Sequence, residues 1–251
     1  MKLALLADVH ANLQALRACL ADARVRGATQ YALLGDLVGY GADPGPVLDI
    51  AMQMVLQGAW AVRGNHDEAA LQAATDGDPR ADPTGAAWTH AQLTSDQHQF
   101  LANLPLVVTH DFICLVHASA RDPQAWEYVK DNMGAAASLE AAADSSGATH
   151  VFGGHVHEQR LFFHGAVGKM MAFEPTPGVA VPLRRHRRWL ATVGSVGQPR
   201  DGASESMYAL FDSDSASLTF LRVPYDHVAA AQAILDAGLP EFNAHRLALG
   251  Q

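Results

Sequence analysis

Sulfur and positive charge are both scarce in this chain. Only two cysteines occur in 251 residues, Cys19 and Cys114. One falls in a helical pattern and the other in a strand pattern. Both are expected to be buried as small apolar side chains, not to form a disulfide or serve as nucleophiles. Lysine and arginine number 17 against 26 aspartates and glutamates, a formal net charge of -9. That balance argues against the broad basic face a stable nucleic-acid complex needs, so nucleic acid is not an expected partner. It leaves a phosphate substrate open, because bound divalent cations would dominate the local field. No apolar run is long enough to span a bilayer, and no membrane partner is expected. Residues 1–7 are apolar but end at Asp8, where a secretion signal would continue. A soluble, cytoplasmic protein is the expectation. There is no internal repeat and no low-complexity tract, and residues 174–178 read as a loop rather than a linker. Residues 1–251 are therefore expected to form a single domain.

What is present is a regular alternation. Residues 3–7, 31–34 and 60–62 are short apolar runs that read as strands. Leu13, Leu16, Leu20 and Ala23 recur at helical spacing, and Gly27 stops that helix. Asp43 can cap a second helix with Pro44 in its first turn, running to about Gln57. This strand–helix order predicts a parallel sheet. Residues 67–104 are helical in pattern, with a break at 76–79. Residues 106–109 and 112–116 flank His110 and Asp111 as a hairpin. A helix over 134–144 follows, then strands near 149–152, 160–163, 169–173, 189–193, 207–211 and 217–223. The last two strands are joined by a turn at 212–215, and a helix over 226–237 closes the fold. Two mixed β-sheets packed face to face, with helices outside, accommodate both halves.

Five clusters of metal-loving residues each follow a strand-like run: Asp8 and His10, Asp36, Asn65 to Asp67, His117, and His155 and His157. Strand ends in layered α/β folds are where ligand sites gather. Aspartate, histidine and one asparagine, without cysteine, suit a pair of hard-to-borderline divalent cations. The best target for two metals is a phosphate ester. Asp36 lies between the other clusters and is the candidate bridge, one carboxylate oxygen to each ion. Asp8 and His10 alternate around Val9, and His155 and His157 around Val156. In extended chain such pairs point the same way. Gly153 and Gly154 would let the backbone approach closely. Asn65 offers a neutral amide oxygen.

These five clusters resemble the motif set of the calcineurin-like metallophosphoesterases: Asp-x-His, Gly-Asp, Gly-Asn-His-Asp/Glu, a lone His, and Gly-His-x-His. All are present between residues 8 and 157. The resemblance implies a four-layer αββα sandwich. It also implies that Asp8, His10, Asp36 and His157 hold one metal, and Asp36, Asn65, His117 and His155 the other. The run from Thr192 to Gly202 resembles a Gly-Ser-Val-Gly-Gln-Pro-Arg stretch of the small bacterial branch that includes YfcE-like phosphodiesterases.

One departure matters. Protein phosphatases of this family carry Asp-Arg-Gly after the Gly-Asp cluster, whereas Gly39-Tyr40 stand in place of Asp-Arg here. The missing guanidinium clamp favours a diester or an undemanding small monoester. Two metals about 3.5–4 Å apart would hold a bridging water and lower its pKa, and the hydroxide would attack phosphorus in line. His66, not needed as a ligand beside Asn65, would protonate the leaving oxygen. Asp67 reads as a helix-start carboxylate, with orientation of His66 as the other role. Arg200, in a glycine-rich loop, and Tyr40 are candidate substrate contacts. The basic run from Arg184 to Arg188 reads as a solvated loop edge. The expected activity is a dinuclear metal-dependent phosphodiesterase acting on a small phosphate ester. A phosphomonoesterase or dinucleoside-polyphosphate hydrolase is the alternative, and a non-catalytic binding scaffold stands further off. Manganese is the expected metal, with iron, nickel, cobalt or zinc as alternatives.

Overall fold

A computed structural model of the chain describes residues 1–72, 84–165 and 168–251. The N-terminal half alternates as its sequence pattern requires: β1 (Lys2–Leu6), α1 (Leu13–Val25), β2 (Gln30–Leu34), α2 (Pro44–Leu56) and β3 (Trp60–Val62). Helices α3 (Asn65–Gln72), α4 (Ala86–Gln92) and α5 (Ser95–Asn103) occupy the next stretch. The break expected at 76–79 lies outside the described residues. The hairpin β4 (Val107–His110) and β5 (Ile113–Val116) turns through Asp111, then come α6 (Asn132–Ser146), β6 (His150–Gly153), β7 (Gln159–His164), β8 (Met170–Phe173), β9 (Ala180–Pro182), β10 (Trp189–Val193), β11 (Ser206–Asp212) and β12 (Ser217–Val223). The pair α7 (His227–Asp236) and α8 (Glu241–Leu249) ends the chain.

The strands form two six-stranded sheets, β3-β2-β1-β11-β12-β9 and β4-β5-β6-β10-β7-β8. Each is mixed: β1–β2–β3 and β5–β6–β10 run parallel, and the remaining pairs are antiparallel. The layering follows from the two-residue period of a strand. In β1, Leu3 and Leu5 enter the core between the sheets with Leu115, Phe152, Val193 and Phe211. Ala4 and Leu6 face the other way and pack with Leu16 of α1 and Val47 of α2. In β5, Ile113 and Leu115 turn inward, while Cys114 and Val116 pack against Leu139 of α6. Runs buried on both faces thus yield the four layers of an αββα sandwich.

Local signals held in part. Asn12 caps α1 by accepting the Ala15 amide at 3.0 Å, and Gly27 adopts a left-handed φ of 81° just past its end. Asp43 does occupy the cap position before Pro44, but its side chain accepts no helix amide. Two elements were not foreseen, the short edge strand β9 and the helix α8. Both cysteines are buried and free, as expected. Burial pushes their thiols up to about 12 for Cys19 and about 11 for Cys114, so neither is a nucleophile at neutral pH. Among the described residues no helix is long and apolar enough to cross a membrane.

Candidate metal centre

The loops that follow β1, β2, β3, β5 and β6 converge, and all five motif clusters meet there. Asp8, Asp36, His10, His117, His155 and His157 are each at most 5% exposed. The strands deliver them, but the chain leaves extended geometry to aim them. Asp8, His10, Asp36, His155 and His157 all have left-handed φ angles, between 49° and 66°. A non-glycine residue held there costs on the order of 1–2 kcal/mol. The expectation that Asp8 and His10, or His155 and His157, face one side because extended residues alternate is therefore corrected. They converge because each is individually kinked. Gly154 permits this closeness, since a Cβ there would lie 2.4 Å from Asp8 Oδ2. In its absence the His155 amide donates to both Asp8 oxygens, at 3.1 and 2.9 Å.

Each imidazole has one nitrogen fixed from outside. His10 Nδ1 donates to the Val38 carbonyl at 3.2 Å, and His157 Nδ1 to the Gln198 carbonyl at 2.6 Å. His117 Nδ1 donates to the Leu34 carbonyl at 2.8 Å, and His155 Nε2 to the Trp126 carbonyl at 2.9 Å. A carbonyl can only accept, so in the neutral ring the other nitrogen carries a lone pair, and in all four rings that other nitrogen points into the site. His10 Nε2 faces His157 Nε2 across 3.1 Å, and His117 Nε2 faces His155 Nδ1 across 3.2 Å and Asn65 Oδ1 across 3.1 Å. Burial pulls His10 and His157 well below the usual imidazole range and His155 down to about 4. These three are neutral at pH 7. Burial also opposes charge on His117, but the Asp36 and Asp8 carboxylates outweigh it and push this ring up to about 9.

The carboxylates complete two groups. Asp8 Oδ1 is 3.4 Å from His157 Nε2 and 4.0 Å from His10 Nε2. Asp36 Oδ2 lies 3.3 Å from His117 Nε2 and 3.8 Å from His10 Nε2, so it stands between the groups. The other oxygen, Asp36 Oδ1, accepts the His66 amide at 2.8 Å. Burial pushes Asp8 up to about 7. Burial also works to raise Asp36, but the imidazoles of His117, His66 and His10 hold it well below the ordinary carboxylate range. Potential ligand atoms of Asp8, His10 and His157 lie within 4.8 Å of one another, as do those of Asp36, His117 and His155. A third such group, His10, Asp36 and His66, joins them. Converging carboxylates and imidazoles, three of the four rings neutral, fit divalent cations, which would displace the proton that the carboxylates hold on His117, and the donor set is nitrogen and oxygen throughout.

The other expected residues distribute unevenly. The His66 ring lies 5.0 Å from that of His10 and 4.4 Å from that of Tyr40. Gly39, at a φ of +89°, makes room for it: a Cβ there would sit 2.7 Å from His66 Nδ1. Asp67 has a role wider than a helix start. Its Oδ1 accepts the Leu37 and Val38 amides at 2.8 and 3.2 Å, and Oδ2 the Gly64 amide at 2.9 Å, which ties the Asp36 loop to the Asn65 loop. Arg200 sits at the rim, its Nη2 donating to Gln198 Oε1 at 2.7 Å and its Cζ 5.9 Å from the Tyr40 ring. The run Arg184 to Arg188 precedes β10, at the end of that strand remote from the site. Arg185 there packs 4.2 Å over the Phe112 ring.

Several contributors were not found from sequence. Ser195 Oγ donates to the Asp8 carbonyl at 2.9 Å, seating the loop after β10 against β1. Tyr128 stacks on His155 at 4.0 Å with an interplanar angle of 18°. Trp126 and Tyr128, two aromatics in a polar loop, were the available signal there. Arg246 of α8 reaches the Tyr40 ring from a helix that the sequence pattern did not reveal.

Two packed mixed sheets with aspartate, histidine and asparagine gathered at their strand ends define a class of metal-dependent phosphoester hydrolases. The chain belongs to the calcineurin-like phosphoesterase superfamily, whose domain pattern matches residues 1–216. It is 30% identical to the uncharacterized protein MJ0912 of Methanocaldococcus jannaschii, over 99% of this chain and 98% of that one. A metallophosphoesterase from Sphaerobacter thermophilus superposes with a TM-score of 0.90 at 32% identity, covering 100% of this chain and 99% of its own. The hypothetical protein PH1004 from Pyrococcus horikoshii shares the fold, with a TM-score of 0.78 at 19% identity over 100% and 98% of the two chains.

Proposed function

We propose that this hydrolase is a phosphodiesterase that works with two divalent cations, manganese first among them. One observation carries the reading. Four imidazoles, each locked outside by a backbone carbonyl, turn their other ring nitrogen toward a pair of buried carboxylates. Asp8, His10, Asp36 and His157 would hold one ion, and Asp36, Asn65, His117 and His155 the other. Bound there, the ions would supply a water acidified toward neutrality and positive charge for the phosphate oxygens.

The chain's own residues do the rest. The Asp36 carboxylate, with one oxygen turned to both groups, fixes their spacing. His66 stands beside that position and delivers a proton to the leaving alkoxide. Arg200 and Tyr40 form the rim on the His10 side and orient the ester. Gly39 and Tyr40 occupy the place where a phosphomonoester clamp would stand, and this supports a diester over a phosphoprotein.

The test is hydrolysis of bis-p-nitrophenyl phosphate against p-nitrophenyl phosphate, with and without added manganese. Manganese-dependent turnover that favours the diester is the expected result. Preference for the monoester would reverse the substrate assignment. No turnover of either compound by metal-loaded protein would make the chain a binding scaffold on this fold.

A further inference from the structure

Two guanidiniums approach one aromatic ring at the rim of the metal centre. Arg200 Cζ lies 5.9 Å from the Tyr40 ring centroid, and Arg246 Cζ lies 5.8 Å from it. Tyr40 itself packs 4.8 Å from the His10 ring and 4.4 Å from His66. The arginines therefore stand one side chain beyond the metal-facing imidazoles. Among the described residues, neither forms an ion pair with an aspartate or glutamate, whereas Arg26, Arg63, Arg121, Arg160 and Arg222 all do. Burial, and then the charge of Arg200, pull the Arg246 pKa down against the opposing pull of Tyr40.

Neighbouring donors also lack acceptors. Arg200 Nε and Gln198 Nε2 are both buried without a hydrogen-bond partner, although Gln198 Oε1 is engaged by Arg200. Each such donor is held at a cost until an acceptor arrives. The two arginines are not equivalent. Arg200 is tied to Gln198, whose carbonyl holds His157 Nδ1, so it lies on the side of the metal centre. Arg246 is held farther out: its Nε donates to the carboxylate oxygen of Gln251 at 2.6 Å, and its Cζ packs 4.9 Å over Phe242.

We propose that Arg246, with Arg200 and Gln198, forms a second anion subsite, and that the preferred substrate carries a further phosphate group beyond the ester that is cleaved. A phosphate dianion matches two guanidiniums, whereas a carboxylate would neutralise only one. This inference rests on the phosphoester reading above for its placement, but it can fail separately.

The experiment uses matched pairs. The first is the p-nitrophenyl ester of thymidine 5′-phosphate with and without a 3′-phosphate, assayed with metal-loaded protein. The second is thymidine 3′,5′-bisphosphate against thymidine 5′-monophosphate, titrated calorimetrically into metal-free protein. In each pair the compound with the extra phosphate is expected to win by about tenfold or more, the gain of one charge-assisted contact. Arg246→Met should erase that ratio in both assays, and Arg246→Lys should restore part of it. Equal values within both pairs would overturn the subsite, as would a preference that survives Arg246→Met, or failure of the metal-free protein to bind the bisphosphate. Absence of p-nitrophenol release from both esters would instead sink the hydrolase reading, while the calorimetric pair would still decide the subsite.

Discussion

His10 and His157 point their Nε2 atoms at one another across 3.1 Å, and each has its Nδ1 committed to a backbone carbonyl. Two neutral imidazoles in that arrangement repel through their lone pairs, and burial keeps both from taking up a proton. A cation between them turns repulsion into ligation. Divalent metal should therefore stabilise the fold and not merely activate it. At a metal concentration one hundred times the dissociation constant, linkage supplies about 2.7 kcal/mol, or roughly 5–10 °C in Tm for a chain of this size. Thermal unfolding with manganese and with chelator checks this. His10→Ala should abolish most of the shift, and a Tm indifferent to metal in the unmodified protein would count against the site.

His66 lies against the Asp36 carboxylate through its amide, yet its ring is turned to Tyr40 and His10. If it donates the proton, His66→Asn should keep the metal content and lose activity by about 100-fold to 10,000-fold on esters with alkyl leaving groups. Activated aryl esters need little protonation and should be affected far less. Metal analysis alongside a leaving-group series separates the two roles. Loss of metal from the variant would make His66 a ligand instead.

Much of this was legible in the chain, for identifiable reasons. Strands such as β1 and β5 are buried on both faces, so their apolar runs are continuous and their ends conspicuous. The candidate ligands cluster just past those ends, which is why Asp8, Asp36, His117 and His155 could be picked out singly. The backbone geometry was not legible. Aspartate and histidine tolerate left-handed φ better than most side chains, but such residues are extended or helical far more often, so the kinks at Asp8 and His157 could not be read from residue type. The carbonyls of Leu34, Val38, Trp126 and Gln198 that lock the imidazoles carry no side-chain identity. Edge strand β9 is three residues long and ends in Pro182, and α8 leaves Phe242 and Leu249 exposed, which blurs its apolar face. Arg246 was lost with that helix.

Asp67 binds three amides from two loops. Asp67→Asn replaces one acceptor oxygen with a donor, so either Gly64 or the Leu37–Val38 pair loses its partner inside the protein. An unmet buried amide costs about 1–3 kcal/mol. Denaturant unfolding in chelator should show a loss of that order, with Cm reduced and m unchanged. An unaltered Cm would show that the loops are held in some other way.

His150 offers a pH test away from the metal centre. Its side chain is fully buried at the start of β6. Nε2 donates to the Leu183 carbonyl at 3.2 Å, and Nδ1 pairs with Thr149 Oγ1 at 2.9 Å. Burial, with some help from Arg185, lowers its pKa to about 4, against about 6.5 in the unfolded chain. Between those values the unfolded state binds a proton that the folded state refuses. Stability from this residue is therefore complete above pH 6.5 and falls as the pH drops toward 4, by roughly 3 kcal/mol in all. His150→Gln keeps a donor for Leu183 but does not titrate. Unfolding free energies of the two proteins, both metal-free so that the ligand histidines contribute alike, should diverge in slope over this window and run parallel above it. Parallel curves throughout would mean that His150 takes up its proton in the folded protein.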